Sequence, residues 1–320
     1  MIRGSLLLVV LLAFIAGCPP PADVAPATRR EALERVNDNL LRISEPLQCA
    51  ALVTFKFQDA NGKERSFIGH EARLIYTQPQ SLLFDVRALT GTVARFGSND
   101  QQYWVWIDVP DLRKLWWGDW LHTSEGALRR LPVPPNELLD ALMLRPLTES
   151  LEGELLPLLR IEGDDHRLVF VRLGIDRQPT GVREIRLDPH APYQPREIVD
   201  RLPDGEIAMH AVLDNYQRVG ADGPFTARRY VVTWPQNKAE MRLDILRAVF
   251  RPRADLGDDL FALPADWQGD SERIDAPAEQ EPGRQGQVDP AIRSGQTSEP
   301  NEAATNAGPT RSLPSSEGSM

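Results

Sequence analysis

Residues 52–63 read LVTFKFQDANGK, and this stretch decides the class of fold. Apolar and polar side chains alternate over 53–57, as they do in a strand with one buried face. The DANGK segment that follows contains an Asn-Gly pair, which is typical of the tight turn between two antiparallel strands. The alternation and the turn together predict a β-hairpin whose returning strand covers 67–76.

The same alternation of short strands and tight turns continues toward the C-terminus. Eleven stretches are predicted as strands, at 52–57, 67–76, 82–88, 93–96, 102–108, 167–173, 182–187, 193–201, 206–216, 230–234 and 241–250. Short connections indicate antiparallel pairing, because parallel strands need long crossovers. Two helices are predicted as well, one over 28–41 with Thr28 as its cap and one over 136–145 that begins at Asn136. The fold class is therefore mainly β with a few helices.

Composition limits the number of domains and the kind of partner. The chain has 320 residues and a formal net charge of −10, and this acidity argues against binding to nucleic acid. Residues 28–268 form one predicted domain. From 270 to 320 there are nine acidic and four basic side chains and no aromatic ones, so we expect 269–320 to be a disordered acidic tail.

The N-terminus carries a targeting pattern. Residues 6–16 form an apolar run that is shorter than the ~20 residues needed to span a bilayer, and it fits the apolar region of a signal peptide. Ile15-Ala16-Gly17-Cys18 follows and resembles the lipobox of bacterial lipoproteins. That resemblance implies removal of 1–17 and modification of Cys18 with fatty acyl chains such as palmitate. The alternative is an ordinary secreted protein with a chance cysteine near the cleavage point.

The lipobox resemblance also predicts a location. A lipidated Cys18 would hold the protein to a membrane of the bacterial cell envelope, with residues 18–27 as a proline-rich tether. We expect the periplasmic side of the outer membrane ahead of the inner membrane, although Pro19 does not decide between them. The second cysteine, Cys49, is predicted to be a buried apolar residue.

Several stretches of the predicted domain resemble those of one protein family. They are ALERVN at 32–37, GHEARLIY at 69–76, LLFDV at 82–86, FGSND at 96–100, LDI at 243–245 and LFALP at 260–264. Together they are similar to the LolA/LolB-type lipoprotein-localisation factors. The resemblance implies a strongly curved antiparallel sheet, an incomplete β-barrel covered by helices around an apolar cavity. It also implies a lipid or an acyl chain as ligand.

Two groups of apolar side chains are candidates for contact with such a ligand. The cavity candidates alternate along three predicted strands: Phe55, Phe57, Phe84, Val86, Trp104 and Trp106. The candidates for a membrane contact or a cavity mouth lie in a predicted loop: Trp116, Trp117 and Trp120. In both groups the alternative is an ordinary core that the protein fills with its own side chains.

No motif of catalytic chemistry is present in the sequence. The five histidines lack metal-binding spacing, and neither a nucleophile elbow nor a phosphate loop occurs. We therefore predict a non-catalytic protein without a cofactor or a metal, which binds a lipid or another hydrophobic ligand. The alternative is a structural or interaction lipoprotein with a filled core and no ligand. The sequence identifies no protein partner.

Overall fold

The computed structural model describes residues 28–59, 61–123, 128, 130–147, 157–173, 179–190, 193–265 and 267–275. The predicted signal peptide, Cys18 and the tether therefore lie outside the described residues. The predicted tail lies outside them from residue 276 onward.

Two α-helices occur among the described residues. Helix α1 (Arg29–Leu41) starts at Thr28, whose hydroxyl accepts a hydrogen bond from the backbone N–H of Glu31 at 3.2 Å. This confirms the first predicted helix. Helix α2 (Pro135–Ala141) is shorter than predicted, because Met143 adopts a positive φ of 50° that no helix continues through.

The described strands are β1 (Leu47–Gln58), β2 (Glu64–Thr77), β3 (Ser81–Ala88), β4 (Gly91–Ser98), β5 (Gln102–Val109), β6 (Leu112–Asp119), β7 (Leu158–Glu162), β8 (Asp165–Leu173), β9 (Pro179–Leu187), β10 (Pro195–Arg201), β11 (Ile207–Asp214), β12 (Gln217–Arg218), β13 (Phe225–Thr226), β14 (Arg229–Trp234), β15 (Ala239–Phe250) and β16 (Asp270–Arg273). The predicted hairpin at 52–76 is the pair β1–β2, in which Phe55 lies opposite Phe67.

Fourteen of these strands form one sheet in the order β16-β6-β5-β4-β3-β2-β1-β15-β14-β11-β10-β9-β8-β7. Every pair in it is antiparallel except β16–β6, which is parallel. Laid flat, fourteen strands would span about 60 Å. Side chains as distant in this order as Trp116 on β6 and Leu168 on β8 nevertheless belong to one buried core. The sheet therefore curls around that core, and it stays open because its first and last strands do not pair.

The apolar sides of both helices pack into the concave face of the sheet. Ala32, Leu33, Val36 and Leu40 of α1 are in the same buried core as Leu138 and Leu139 of α2 and the inward side chains of the strands. This agrees with the predicted class, a mainly β fold with a curved antiparallel sheet that does not close.

Three strands of the sheet were not predicted: β6, β7 and β16. Residues 112–119 form strand β6 where a loop was expected, since the run of three tryptophans conceals the alternation of the strand. Strand β16 lies beyond the predicted domain end at 268. Its charged side chains suit an exposed sheet edge, and Ile274 behind it is buried, with its N–H donating to the carbonyl of Trp117 at 2.9 Å.

A buried charge network holds α2 to the sheet. The guanidinium of Arg183 on β9 donates to Asp140 of α2 and to Asp200 of β10, each at 2.7 Å. Arg145 pairs with the other oxygen of Asp140. Asp200 is 2 % exposed. Two cations and two carboxylates thus compensate each other in a place with little water.

This network makes the free energy of unfolding depend on pH. Burial by itself would raise the pKa of Asp140, but the charges of Arg145 and Arg183 outweigh it and lower the pKa from 3.8 to about 2. A carboxyl group with a lowered folded-state pKa stabilises the fold above its ordinary pKa and loses that contribution as the pH falls. We expect about 2 kcal/mol to be lost between pH 4 and pH 2. Urea unfolding of the protein across this range measures the loss, and Asp140→Asn should flatten that part of the curve. An unchanged pH profile in Asp140→Asn would contradict the expectation.

On the convex face, Gly97 leaves room for a tryptophan. Gly97 on β4 lies opposite Trp104 on β5, and a Cβ added at Gly97 would approach the indole to 2.2 Å. Trp104 is fully buried, so it has little space into which to move. We expect Gly97→Ala to lower the free energy of unfolding by about 1–3 kcal/mol, as overpacking does.

Gly257 provides the matched control for this prediction, because no heavy atom lies within 4 Å of an added Cβ there. Gly257→Ala should change the free energy of unfolding by no more than about 0.5 kcal/mol. Combining Gly97→Ala with Trp104→Phe should recover part of the loss in a double-mutant cycle. Equal effects of the two glycine substitutions would show that the close approach does not matter.

Candidate ligand cavity

A small cavity lies between α1, the segment that follows α2 and the concave face of the sheet. Its volume is about 30 Å³, which is room for about two water molecules. Most of its wall is apolar and comes from α1, β1, β2 and β15: Val36, Leu40, Leu47, Leu74, Leu243 and Ile245. The amphipathic pattern of α1 and the alternation of the strands turn these side chains inward.

One part of the wall is polar and incompletely hydrogen-bonded. Gln194, just before β10, is 6 % exposed, and its amide Nε2 has no hydrogen-bond partner among the described residues. The hydroxyl of Thr226 on β13 is also buried without a partner in that part of the chain. Both residues line the cavity. A buried donor without a partner is costly, so these two groups mark the part of the wall where a polar atom is missing.

The titratable groups in the wall are uncharged at neutral pH. Burial raises the pKa of the Cys49 thiol to about 12, so it is a poor nucleophile. Cys49 is free and 4 % exposed, which confirms the prediction of a buried apolar residue. Burial also raises the pKa of the Tyr216 and Tyr230 hydroxyls. The hydroxyl of Tyr216 donates to the carbonyl of Pro195 at 2.6 Å.

Helix α1 is held over the cavity by two paired side-chain amides. Asn37 donates to the carbonyl of Leu147 at 2.6 Å and accepts from its N–H at 2.7 Å. Asn39 makes the same two bonds with Phe225, at 2.8 and 2.7 Å. Gln78 adds a hydrogen bond from its amide to the carbonyl of Leu40 at 2.9 Å. Release of α1 would have to break these hydrogen bonds as well as the contacts of its apolar side.

The phenylalanine candidates are all in the concave core but away from this cavity. Phe55 stacks on Phe57 with ring centroids 5.0 Å apart, and Phe96 stands edge-on to Phe55 at 5.7 Å. Phe84 packs on Phe96 at 5.8 Å, and Val86 is fully buried. These side chains fill their part of the interior. None of the four candidates, Phe55, Phe57, Phe84 and Val86, lines the cavity.

The two tryptophan candidates of β5 lie on the other face of the sheet. Tyr103, Val105 and Ile107 are the β5 side chains in the concave core, so Trp104 and Trp106 point to the convex side. The Trp106 ring packs against that of Trp267 at 5.4 Å and lies under the guanidinium of Arg95. The six cavity candidates are therefore divided between two faces.

The three tryptophans at 116–120 also lie in different surroundings. Trp116 on β6 is buried in the concave core. Trp117 points the opposite way, with the guanidinium of Arg273 5.0 Å from its ring. Trp120 packs on Tyr103 at 4.5 Å and donates its indole N–H to the carbonyl of Asn99 at 2.8 Å. Because each ring has its own protein neighbour, the three do not form the exposed aromatic loop that the sequence suggested.

One cluster of metal-ligating types exists within the described residues, formed by Asp119, His122 and Asp275. Arg273 donates to Asp119 at 2.6 Å and to Asp275 at 2.8 Å. Its positive charge offsets one of the two negative charges, and its hydrogen bonds to both carboxylates make the arrangement an ion-pair cluster that ties β16 to β6.

Comparison with known proteins gives structural similarity without sequence similarity. No family model matches the chain, and no curated protein matches it. A LolA superfamily protein from Nitrosomonas europaea is 13% identical, over 74% of this chain and 98% of that one, with a TM-score of 0.45. A domain named for outer membrane lipoprotein sorting, from Vibrio parahaemolyticus, is 14% identical over 73% and 97%, also at 0.45.

A DUF1329 family protein from Desulfovibrio piger is 10% identical, over 72% of this chain and 97% of that one, again with a TM-score of 0.45. At these values the likeness assigns no ligand, partner or location to this chain. Within the described residues, neither helix has the length and apolar character that crossing a bilayer requires.

Proposed function

We propose that this protein is a lipid-anchored protein of the bacterial envelope that binds a hydrophobic chain between α1 and the concave face of the sheet, without catalysis. Lipidated Cys18 is its anchor, and the periplasmic side of the outer membrane is its location. The lipobox-like sequence at 15–18 supports the anchor. The cavity under α1 supports the ligand.

The proposal of a ligand is supported by the combination of an apolar wall and unsatisfied polar groups. Most buried donors in a protein core are paired. Here Gln194 and Thr226 have unpaired polar atoms beside an otherwise apolar space. An apolar wall with a few convergent polar groups is the usual composition of a small-molecule site.

The size of the cavity requires that α1 move. Ligand sites hold roughly 300–1,000 Å³, and the present cavity of about 30 Å³ is therefore the closed state. Moving α1 would expose the side chains of Ala32, Leu33, Val36 and Leu40, and exposing each large one costs about 1.5–3 kcal/mol. An acyl chain in their place would cover the same apolar wall and offset that loss.

Filling the cavity tests this function. Ala227 lines the cavity and is 1 % exposed, so Ala227→Leu would place three additional carbons in the space that the chain needs. We expect the affinity of the Ala227→Leu variant for a fluorescent fatty acid to fall at least tenfold. Val212→Leu, at a position 39 % exposed on the other face of the sheet, is the control and should bind normally. Fluorescence titration of the purified proteins measures both affinities, and thermal unfolding shows that both variants are folded.

The second candidate function is a structural or interaction lipoprotein with a filled core. The packed phenylalanine cluster and the small cavity volume favour it. If delipidated protein binds no apolar probe, and no lipid is extracted from protein purified from its membrane, ligand binding is wrong and the filled-core function replaces it.

A further inference from the structure

Arg228 has no carboxylate partner among the described residues, and it adjoins the cavity wall in sequence without being one of the lining residues. It lies directly before β14, between Ala227 and Tyr230, and both of these residues line the cavity. Its backbone is fixed on two sides, since its N–H donates to the carbonyl of Asp214 at 3.1 Å and its carbonyl accepts from the N–H of Ile245 at 2.7 Å. The side chain therefore starts from a rigid position.

Two of the three nitrogens of its guanidinium are left unsatisfied, although the side chain as a whole is only partly buried. Nε and Nη1 of Arg228 are buried and have no hydrogen-bond partner, and Arg228 forms no ion pair with any described residue. Its neighbour Arg229 differs in this respect, because it pairs with Asp244 at 3.1 Å. Buried guanidinium nitrogens without an acceptor are unfavourable, so a carboxylate or a phosphate placed against Nε and Nη1 would be stabilised.

The groups around Arg228 do not supply that anion. The positive charge is close enough to the Cys49 thiol and the Tyr230 hydroxyl to lower their pKa values, but burial dominates and raises the pKa of both. Both groups are thus uncharged at neutral pH. Two water molecules in the cavity would give hydrogen bonds but no negative charge.

We propose that the cavity accepts an acidic amphiphile, whose carboxylate or phosphate head is bound by Arg228 together with the unpaired donors of Gln194 and Thr226. This inference rests on the proposed function and names its ligand class. The head supplies one negative charge to the guanidinium and acceptor oxygens to the other two donors. The tail lies along the apolar wall under α1. Charge-assisted hydrogen bonds of this kind are about twice as strong as neutral ones, so they would select the acid over an uncharged amphiphile.

Three probes with the same sixteen-carbon chain test the proposal on the purified full chain. Palmitic acid carries a carboxylate, hexadecyl phosphate carries a phosphate, and hexadecanol carries no charge. We expect the native protein to bind at least one of the two acids ten times or more as tightly as hexadecanol. The tighter of the two identifies the head group.

Variants assign the selectivity to the residues. Arg228→Gln should lose the preference for the acid and bind hexadecanol as before. Arg229→Gln, the adjacent arginine with a carboxylate partner, should keep the preference. Gln194→Leu should weaken the preference several-fold, and it provides a second variant should Arg228→Gln fail to fold.

The results distinguish a failure of the head-group site from a failure of the proposed function. If the acids and hexadecanol bind the native protein equally, or if Arg228→Gln keeps the preference, the head-group site is wrong while the apolar site stands. If none of the three probes binds, the proposed function fails.

Discussion

Replacing Cys18 with serine is expected to abolish lipid attachment and release the protein from membranes. Acyl chains add about 0.8 kcal/mol per buried methylene, and two or three chains give stable anchoring. Serine has no thiol to form the thioether. The variant should be exported behind a leader that ordinary signal peptidase cleaves before residue 18, because an uncleaved apolar leader would itself retain the protein. Fractionation and mass spectrometry of the N-terminal peptide measure the outcome.

Cys49→Ser is the matched control for this experiment. It makes the same chemical change at the buried free cysteine, and its product should stay in the membrane fraction with lipid on the peptide that begins at residue 18. If Cys18→Ser remains in membranes at unchanged mass, the anchor is wrong, and the proposed location no longer has support.

Replacing Arg183 with methionine should lower the free energy of unfolding by about 3–5 kcal/mol, the usual effect of breaking a buried ion pair. Asp140 and Asp200 would then face each other's charge with only Arg145 to compensate them. Methionine keeps the length of the stem, so the effect reports mainly the lost charge. Denaturant unfolding at pH 7 measures it.

Arg167→Met separates burial from charge. Arg167 also bridges two carboxylates, those of Asp165 and Glu184, but its side chain is 33% exposed. Exposed pairs contribute about 0–1 kcal/mol, so this variant should be nearly as stable as the native protein. The Arg183→Met loss should also shrink as the pH falls toward 2, because Asp140, whose pKa is lowered to about 2, takes up its proton there. Equal losses in the two variants would indicate that burial of the network does not matter.

Local patterns predicted most of the fold because strands such as β1 and β15 alternate between buried and more exposed side chains. The Asn-Gly turn and the alternation at 53–57 were sufficient for β1 and β2, and the Thr28 cap was sufficient for α1. Strand β6 was missed because side chains on both of its faces are large and apolar, which hides a period of two. Strand β16 was missed because an exposed edge strand has the composition of a tail.

The site was much less predictable. Alternation indicates that Trp104 and Trp106 share a face, but it does not indicate which face, because β5 has apolar side chains on both. The convex side is covered by the later segment that carries Phe261 and Trp267. Gln194 and Arg228 each gave no local signal. Their importance comes from partners that are missing in three dimensions, and a sequence does not record that.

The pairing of β16 with β6 has a consequence for biosynthesis. Asp270 lies beside Lys114, so this edge of the sheet stays open until 156 further residues have left the ribosome. An open strand edge recruits other chains, and nascent proteins fold from their N-terminal side first. Products of premature termination before residue 270 should therefore self-associate. During synthesis, a chaperone that shields exposed strands would have to cover β6 until β16 has been added.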